Sequence, residues 1–173
     1  HKFYGLKGVG ILIKKENIGL TPQITGGSSQ TIYRAGTPSV ALIASFAKAL
    51  RLAKEQESIV YPKIKAINKY LKENLITIPN LTINSKKDCS PYIINFSIKG
   101  IKPETMIHKL EAKDIYLSTK TACSSKDDYS KTIYELTNNK DLSKTSLRLS
   151  LAKYNTMEEA IEFIKILKTE LNN

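Results

Sequence analysis

The chain is predicted to be an α/β protein, in which a small sandwich of strands and helices lies at the end of a long helical arm. Three observations predict this class. Apolar residues recur with helical spacing over about 40–74 and again over about 156–171, and short strand-like runs occur at 92–98, 115–118 and 146–151. Strands and helices therefore alternate in the second part of the chain, as a layered α/β fold requires.

The first part of the chain predicts a strand, a loop and the start of a helix. The Val-Gly-Ile-Leu-Ile run at 9–13 is short, apolar and β-branched, and it is predicted to be a buried strand. Residues 19–37 contain several glycines and are expected to form an irregular loop. Thr37 and Pro38 then predict a helix start, with Thr37 as the cap and Pro38 at the first helical position.

A long helical arm is predicted to follow. The first helix should run from Val40 to about Glu57, and a second helical stretch covers roughly 58–74. Pro62 is expected to break or kink this arm, because proline lacks a backbone N–H and disfavours a helical residue before it. The predicted apolar stripe of the first helix consists of Leu42, Ile43, Phe46, Leu50 and Ala53.

The second part begins with a predicted strand at 92–98, and Pro103 then opens a helix that is expected to end near Glu111. The next strand is predicted at 115–118. Residues 119–140 are polar and are expected to be irregular, with about one helical turn near 132–136.

The chain is predicted to close with a strand and a helix. Apolar and polar residues alternate over 146–151, as in a half-buried strand. Asn155 and Thr156 predict the start of the last helix, with acidic residues in its first turn. The predicted stripe of this helix consists of Ala160, Ile161, Phe163, Ile164, Ile166 and Leu167.

Composition limits the class of protein. The chain has 173 residues, of which 41% are hydrophobic and 25% are charged, and this is typical of a globular domain. No apolar run approaches the ~20 residues of a membrane span, and no signal peptide is visible, so we expect a cytoplasmic protein. Because the first residue is His1 rather than Met, we expect a processed product or a part of something longer.

The formal net charge of +11 raises the question of nucleic-acid binding. Most of the 27 basic residues are scattered lysines, and the only arginines are Arg34, Arg51 and Arg148. Base readout favours arginine, and scattered lysines are typical of solvated helix faces. A basic nucleic-acid-binding module is therefore kept only as an alternative that the pattern does not favour.

The two cysteines, Cys89 and Cys123, are expected to be free thiols, because the chain shows no disulfide framework. With only His1 and His108 as histidines, no zinc-ligand spacing is present and no metal site is predicted. Cys123 lies in a polar run between Lys120 and Lys126, whose charges would favour the thiolate. Cys89 lies in no motif and is interpreted as incidental, and His108 as a surface residue.

Four segments, taken together, resemble the motifs of cysteine desulfurases of the NifS/IscS type, which are class-V aminotransferase-like enzymes. His-Lys-x-Tyr-Gly-x-Lys-Gly-x-Gly at 1–10 is similar to the segment around the lysine that binds pyridoxal 5'-phosphate. The other three are the glycine-rich loop at 26–37, Ser-Thr-Lys-Thr-Ala-Cys-Ser-Ser at 118–125, and Ser-Leu-Arg-Leu-Ser-Leu at 146–151. They occur in the order of the family, with nearly its spacing, across almost the whole chain.

The resemblance implies a fold and a division into domains. The chain would be the C-terminal portion of a pyridoxal-phosphate-dependent transferase of fold type I, the aspartate aminotransferase-like class. Residues 1–57 would then be a remnant of the large cofactor-binding domain. Residues 58–173 would form the small α/β domain with the catalytic-cysteine loop. The family residues that hold the cofactor ring precede the lysine, so we expect this chain alone to be incomplete and inactive.

The resemblance also implies the roles of five residues. Lys2 would carry the cofactor and move protons, and His1 would lie beside the cofactor. Thr37 would contact the phosphate of the cofactor bound to the other subunit of a homodimer. Arg148 would bind the carboxylate of the substrate L-cysteine. Cys123 would take the sulfur as a persulfide and pass it to an acceptor protein, such as an iron–sulfur scaffold, or to thio-cofactor or tRNA biosynthesis.

Some positions depart from the family pattern, and alternatives remain open. Leu6 replaces the usual proline, Lys120 and Thr121 replace a Gly-Ser pair, and serines follow Gly27. Another class-V enzyme, such as a selenocysteine lyase or an aminotransferase, is one alternative. A domain that docks partners or relays sulfur without catalysis is another.

Overall fold

The structure, a computed structural model, describes residues 1–119 and 128–172. It divides into two compact units, His1–Ser58 and Ile59–Asn173. Among the helices of the described ranges, none is long and apolar enough to cross a membrane. In chain order the elements are α1 (Val40–Leu75), β1 (Leu81–Ile83), β2 (Ile93–Ile98), α2 (Pro103–Glu111), α3 (Lys131–Thr137), α4 (Lys140–Lys144), β3 (Ser146–Ser150) and α5 (Met157–Asn172).

Helix α1 is continuous over 36 residues and contains Pro62, so the predicted break is wrong. A proline removes only its own backbone hydrogen bond, here the bond to the Ser58 carbonyl, and the neighbouring turns keep theirs. Within the next five residues the helix buries Ile64 and Ile67 almost completely. Burial of these side chains offsets the local loss, because hydrophobic packing contributes more to helix stability in proteins than propensity does.

The start of α1 also differs from the prediction. The helix begins at Val40, and the Ser39 carbonyl accepts the first helical hydrogen bond, from the Ile43 N–H at 3.0 Å. Ser39 therefore occupies the cap position that was predicted for Thr37, and Pro38 precedes the helix instead of beginning it. Proline disfavours the helical conformation in the residue before it, but it does not require that its own successor be helical.

The first turns of α1 bury only part of the predicted stripe, in which Leu42 and Phe46 are half buried. Ala49 is buried, whereas Ile43 and Leu50 are about half exposed. The N-terminal segment selects this face: the rings of Phe3 and Phe46 lie 5.2 Å apart at nearly a right angle. A nonlocal contact thus decides which of several apolar residues turns inward.

The strand predicted at 9–13 is not formed. Ile11, Leu12 and Ile13 are 65%, 76% and 85% exposed, so the prediction of burial is also wrong. A strand is stable only when a neighbouring strand pairs with its backbone N–H and C=O groups. Within the described residues, no strand pairs with this segment.

The second unit is built on a three-stranded antiparallel sheet in the order β1-β2-β3. Leu81 pairs with Ile98, and Asn95 pairs with Arg148. Strand β1 was missed from sequence because it has only three residues, too few to show a period. The core of this unit contains Ile67, Leu71, Ile94, Phe96, Ile98, Met106, Leu110, Leu147, Leu149, Ala160, Phe163, Ile164 and Leu167.

The strand predicted at 115–118 is reduced to a single bridge. Ser118 donates its N–H to the Arg148 carbonyl at 3.1 Å and accepts the Arg148 N–H at 2.6 Å. The bridge lies on the edge of β3 that faces away from β2, so Arg148 is paired on both sides. The prediction for α2 is confirmed, since the helix spans Pro103–Glu111.

Helix α5 begins with a reciprocal capping arrangement at its first turn. The Thr156 hydroxyl accepts the Glu159 N–H at 3.2 Å, and the Glu159 carboxylate accepts the Thr156 N–H at 3.1 Å. Asn155 donates a further hydrogen bond to Glu159, and these bonds lower the pKa of the Glu159 carboxyl, that of Asn155 most. The predicted stripe is largely buried, but Ile161 is half exposed.

Thr156→Ala is expected to destabilise the protein by about 1 kcal/mol, because it leaves the Glu159 N–H without its cap. Chemical unfolding at pH 7 measures the change. Thr169→Ala in the same helix is the control, since within the described residues that hydroxyl bonds only to the helical carbonyl of Lys165, and it should change stability little. The pKa of Glu159 is lower in the folded protein than in the unfolded chain, so ionised Glu159 stabilises the fold at pH values above its unfolded pKa of about 4.3. This stabilisation is lost as the pH falls through the folded pKa of Glu159. Equal effects of the two variants would contradict the capping role.

Candidate functional site

The turn that carries Lys2 is held by its own backbone and by α1. The Tyr4 N–H donates to the His1 carbonyl at 3.1 Å, and Tyr4 has a φ of 71°. Phe3 packs edge-on against Phe46. His1 and Lys2 are exposed, so the turn presents an amine and an imidazole on a fixed backbone.

A close approach of backbone to helix follows the turn. A Cβ on Gly5 would lie 3.3 Å from the Cβ of Ala49, tighter than most side-chain contacts. The Leu6 N–H donates to the Ser45 hydroxyl at 3.3 Å. Gly5 is therefore needed for the segment to lie against α1, and this contact holds the Lys2 turn beside the first turns of the helix.

The loop before α1 brings Thr37 to the start of that helix. The Ala35 N–H bonds to the Ile24 carbonyl at 3.2 Å. Gly36 has a φ of +105°, and a Cβ there would lie 2.9 Å from a guanidinium nitrogen of Arg34. Glycine thus allows both the left-handed backbone and the close arginine. Thr37 follows, with its side chain exposed.

The N-terminus of α1 is a candidate anion site. Within the part of the chain that the structure describes, no acceptor bonds to the backbone N–H groups of Val40, Ala41 and Leu42. Such donors and the positive end of the helix dipole favour a phosphate group. With the exposed Thr37 hydroxyl, these donors fit the phosphate of a phosphorylated aldehyde such as pyridoxal 5'-phosphate, and the exposed amine of Lys2 fits the aldehyde of such a compound.

Arg148 lies at the centre of β3, in the second unit. Its backbone pairs with Ser118 on one side, and its register partner on the other side is Asn95. Its Nε is buried, and among the described residues no hydrogen bond or ion pair to its guanidinium is found. A buried donor without an acceptor is rare and is consistent with a missing anionic ligand.

Cys123 lies outside the described residues, as do Lys120 and Lys126. Its described flanks are both attached to the chain between 143 and 148. Before Cys123, Ser118 pairs with Arg148. After it, Asp128 pairs with Lys144 at 2.9 Å, and this hydrogen bond holds the pKa of the Asp128 carboxyl below its usual value.

Ser130 and Asp128, which follow this segment, were not singled out from sequence. The Ser130 hydroxyl accepts the Ile133 N–H and caps α3, and the Ser130 N–H donates to the Ser143 carbonyl at 2.8 Å. The cap could have been found from a serine before a short apolar turn. The pairing of Asp128 with Lys144 could not, because it depends on how α3 and α4 meet.

The remaining chemically active residues lie apart from these groups. Cys89 is an exposed free thiol. His108 is exposed on α2, 3.4 Å from Glu111, as expected for a surface residue. No cluster of metal-ligating side chains occurs within 1–119 and 128–172. The structure therefore places His1, Lys2 and Thr37 in the first unit and Arg148 in the second.

Comparison with known proteins identifies the family. The model of the aminotransferase class-V family matches residues 1–163. The chain is 40% identical over 167 residues to a NifS/IcsS protein homologue of Lactobacillus delbrueckii subsp. bulgaricus, covering 95% of this chain and 43% of that protein. It is 36% identical over 169 residues to cysteine desulfurase IscS of Clostridium botulinum, covering 95% of this chain and 42% of that protein.

A solved structure supports the same assignment. A NifS-like protein superposes with a TM-score of 0.81 at 28% identity, covering 99% of this chain and 44% of that chain. The predicted fold class is confirmed, since this neighbour has the fold of the pyridoxal-phosphate-dependent transferases of type I. The chain spans less than half the length of these relatives. It belongs to the class-V aminotransferase family, in which its relatives are proteins of the NifS/IscS type.

Proposed function

We propose that this chain is the C-terminal part of a cysteine desulfurase. The enzyme would remove sulfur from L-cysteine, leaving L-alanine and a persulfide on Cys123. The observation that carries the proposal is Arg148: its Nε is buried without a partner among the described residues, on the central residue of β3. The sulfur would then pass to an acceptor protein in iron–sulfur cluster or thio-cofactor assembly. A cytoplasmic location remains a prediction.

Arg148 suits a substrate carboxylate for a physical reason. A guanidinium has a planar fork of N–H donors that can make two parallel bonds to a carboxylate, which a lysine cannot do. Strand β3 pairs with β2 along one edge, and along the other edge the backbone of Arg148 bonds to Ser118, so the side chain starts from a fixed point. A carboxylate would supply the acceptor that the buried Nε lacks among the described residues.

Enzymes of this family depend in general on pyridoxal 5'-phosphate. In this chain, Lys2 and His1 would hold the cofactor of their own subunit, whereas Thr37 and the first N–H groups of α1 would contact the phosphate of the cofactor in the other subunit of a homodimer. When bound, the cofactor supplies an electron sink for the bonds at Cα of an amino acid. The exposed positions of His1, Lys2 and Thr37 leave these groups free to bind it.

Three residues of this chain would bind the substrate, transfer its proton and accept its sulfur. Arg148 would hold the carboxylate of L-cysteine, and Lys2 Nζ would take the proton from its Cα. The thiolate of Cys123 would attack the sulfur of the substrate, so that a sulfur–sulfur bond forms and the carbon–sulfur bond breaks. One sulfur atom moves from L-cysteine to Cys123, and L-alanine is left with no other reactant consumed.

We also propose the domain assignment. Residues 1–57 would belong to a large cofactor-binding domain, and 58–173 would form the small domain that carries Cys123. The exposed run Ile11-Leu12-Ile13 supports this, because an exposed apolar segment of high β-propensity, which pairs with no strand among the described residues, is typical of a surface that further chain covers. A homodimer, in which Thr37 reaches the cofactor of the other subunit, would complete the site.

The test uses the product of the complete gene, purified with pyridoxal 5'-phosphate. Incubation with L-cysteine and a thiol reductant should yield alanine and sulfide in equal amounts. A keto acid in place of alanine would indicate an aminotransferase. Activity confined to L-selenocysteine would indicate a lyase for that substrate, and either result would refute the proposal.

Arg148→Lys is expected to lower kcat/KM for L-cysteine roughly tenfold to a hundredfold, because a bidentate charged contact becomes a single one. Steady-state kinetics of alanine formation measure the effect, and the bound cofactor should keep its absorbance. Arg51→Lys is the control, since Arg51 is exposed and lies 3.8 Å from Glu55 on α1. If Arg148→Lys has the same kcat/KM as the wild type, Arg148 does not bind the carboxylate.

A further inference from the structure

A buried chain of polar side chains connects β1 to β2. Asn84, which follows β1, is only 5% exposed, and Ser97 on β2 is fully buried. The Asn84 Nδ2 group donates to Asn95 Oδ1 and to Ser97 Oγ, both at 2.7 Å. The Oδ1 atom of Asn84 is buried and has no partner within the described residues.

The same chain continues into α4. The Ser97 hydroxyl donates to the Leu142 carbonyl at 2.7 Å. Helix α4 has only five residues, and a helix so short is not stable by itself. Its position must therefore come from tertiary contacts, and the hydrogen bond from Ser97 is a directional one.

Helix α4 in turn holds the segment that follows Cys123. The carbonyl of Ser143, which is almost fully buried, accepts the Ser130 N–H at 2.8 Å. The adjacent Lys144 pairs with Asp128 at 2.9 Å. Residues 128 and 130 are thus tied to α4 through one backbone bond and one ion pair.

The segment that precedes Cys123 is tied to the same region from the other side. Ser97 is the register partner of Ser146, the first residue of β3. Two residues further along β3, Arg148 forms the bridge to Ser118. Ser97 therefore contacts both α4 and β3, the two elements to which the described residues on either side of Cys123 are bonded.

Stability alone does not account for this network. A buried carbonyl such as Asn84 Oδ1, which has no partner among the described residues, opposes folding, and apolar side chains of similar size would avoid that cost. Hydrogen bonds are directional and fix the orientation of α4 relative to the sheet, which apolar packing does not do.

We propose that Ser97 and Asn84 are positioning residues, which set the place of α4 and thereby of the two flanks of the segment that carries Cys123. Both side chains are buried, so neither would touch the substrate. The role in sulfur transfer rests on the proposed function, whereas the effect on the thiol itself does not. Loss of the network should change the reactivity of Cys123 without changing the affinity for L-cysteine.

The test compares Ser97→Ala with wild type in the product of the complete gene. Iodoacetamide labelling, followed by mass spectrometry, gives the rates at Cys123 and at the exposed Cys89, which serves as an internal reference. We expect the ratio of the two rates to shift about threefold or more. We also expect kcat for alanine formation to fall about tenfold, with KM little changed, because small misplacements of a reacting group lower the rate strongly.

Two further variants complete the design. Thr82→Ala is the matched control: Thr82 is the register partner of Ser97 on β1, and no hydrogen bond of its hydroxyl is found in the described residues. It should leave the labelling ratio and kcat unchanged. Asn84→Ala removes the other member of the network and replaces Ser97→Ala in the test if that variant does not fold. It should shift the ratio of the labelling rates in the same direction.

The outcomes separate the two proposals. A labelling ratio that stays at the wild-type value in folded Ser97→Ala, or in folded Asn84→Ala, overturns the positioning role. A shift of the ratio in a protein that forms no alanine from L-cysteine supports the positioning role and refutes the proposed function. An equal shift in Thr82→Ala would show a general effect of the sheet and would overturn the specific role.

Discussion

Cys123→Ser is expected to abolish sulfur transfer and to lower alanine formation from L-cysteine by about a thousandfold or more. Serine keeps the size of the side chain, but its hydroxyl does not ionise near neutral pH, so the thiolate nucleophile is lost. Alanine is measured by amino-acid analysis, and the persulfide is detected by mass spectrometry of the peptide that contains residue 123.

The matched control is Cys89→Ser, which removes the other thiol of the chain. Cys89 is exposed in a turn closed by the hydrogen bond from its own N–H to the Lys86 carbonyl. This variant should retain wild-type alanine formation and persulfide. Full turnover in Cys123→Ser, or loss of turnover in Cys89→Ser, would remove Cys123 from the mechanism.

Lys2→Ala is expected to have an effect of similar size, a loss of about a thousandfold or more in alanine formation. It should also abolish the covalent attachment of the cofactor, because no amine is left at this position of the turn. Borohydride treatment of the wild-type protein, followed by peptide mass spectrometry, should find the cofactor on Lys2. Cys123→Ser should retain the cofactor absorbance that Lys2→Ala loses, so the two variants report separate steps.

Lys7→Ala is the control for charge, since Lys7 is an exposed lysine five positions further along the same segment. It should leave cofactor attachment and turnover near wild type. If borohydride still fixes the cofactor to the Lys2→Ala protein, another lysine holds it and the assignment from the motif is wrong.

Some elements were predictable because their signals are local. Pro103 opens α2 as predicted, and the helix ends at Glu111. In β3, Leu147 and Leu149 are buried and Arg148 is only half buried between them, as the alternation indicated. Thr156 begins the capping arrangement of α5. In each case the deciding interactions lie within a few residues of the signal.

Other predictions failed because distant residues decide the outcome. The run at 9–13 has the composition of a strand, but it has no pairing strand in the described part of the chain. Pro62 should interrupt a helix by its local chemistry, yet α1 continues because the following turns bury Ile64 and Ile67 in the core. Ala49 turns inward on α1 in preference to the larger Leu50, because Gly5 lies against it.

The amino-acid sequence by itself determined the chemical groups and their order along the chain: an amine and an imidazole at one end, a thiol, and an arginine in an alternating strand. It also determined the caps and turns, since these depend on side chains that bond to nearby backbone. Only the tertiary structure decided that Ser97 and Asn84 connect the sheet to α4, and that Ser118 and Asp128 are tied to one short stretch of chain. Those contacts join residues far apart in sequence, and their geometry depends on tertiary packing, which no local sequence pattern predicts.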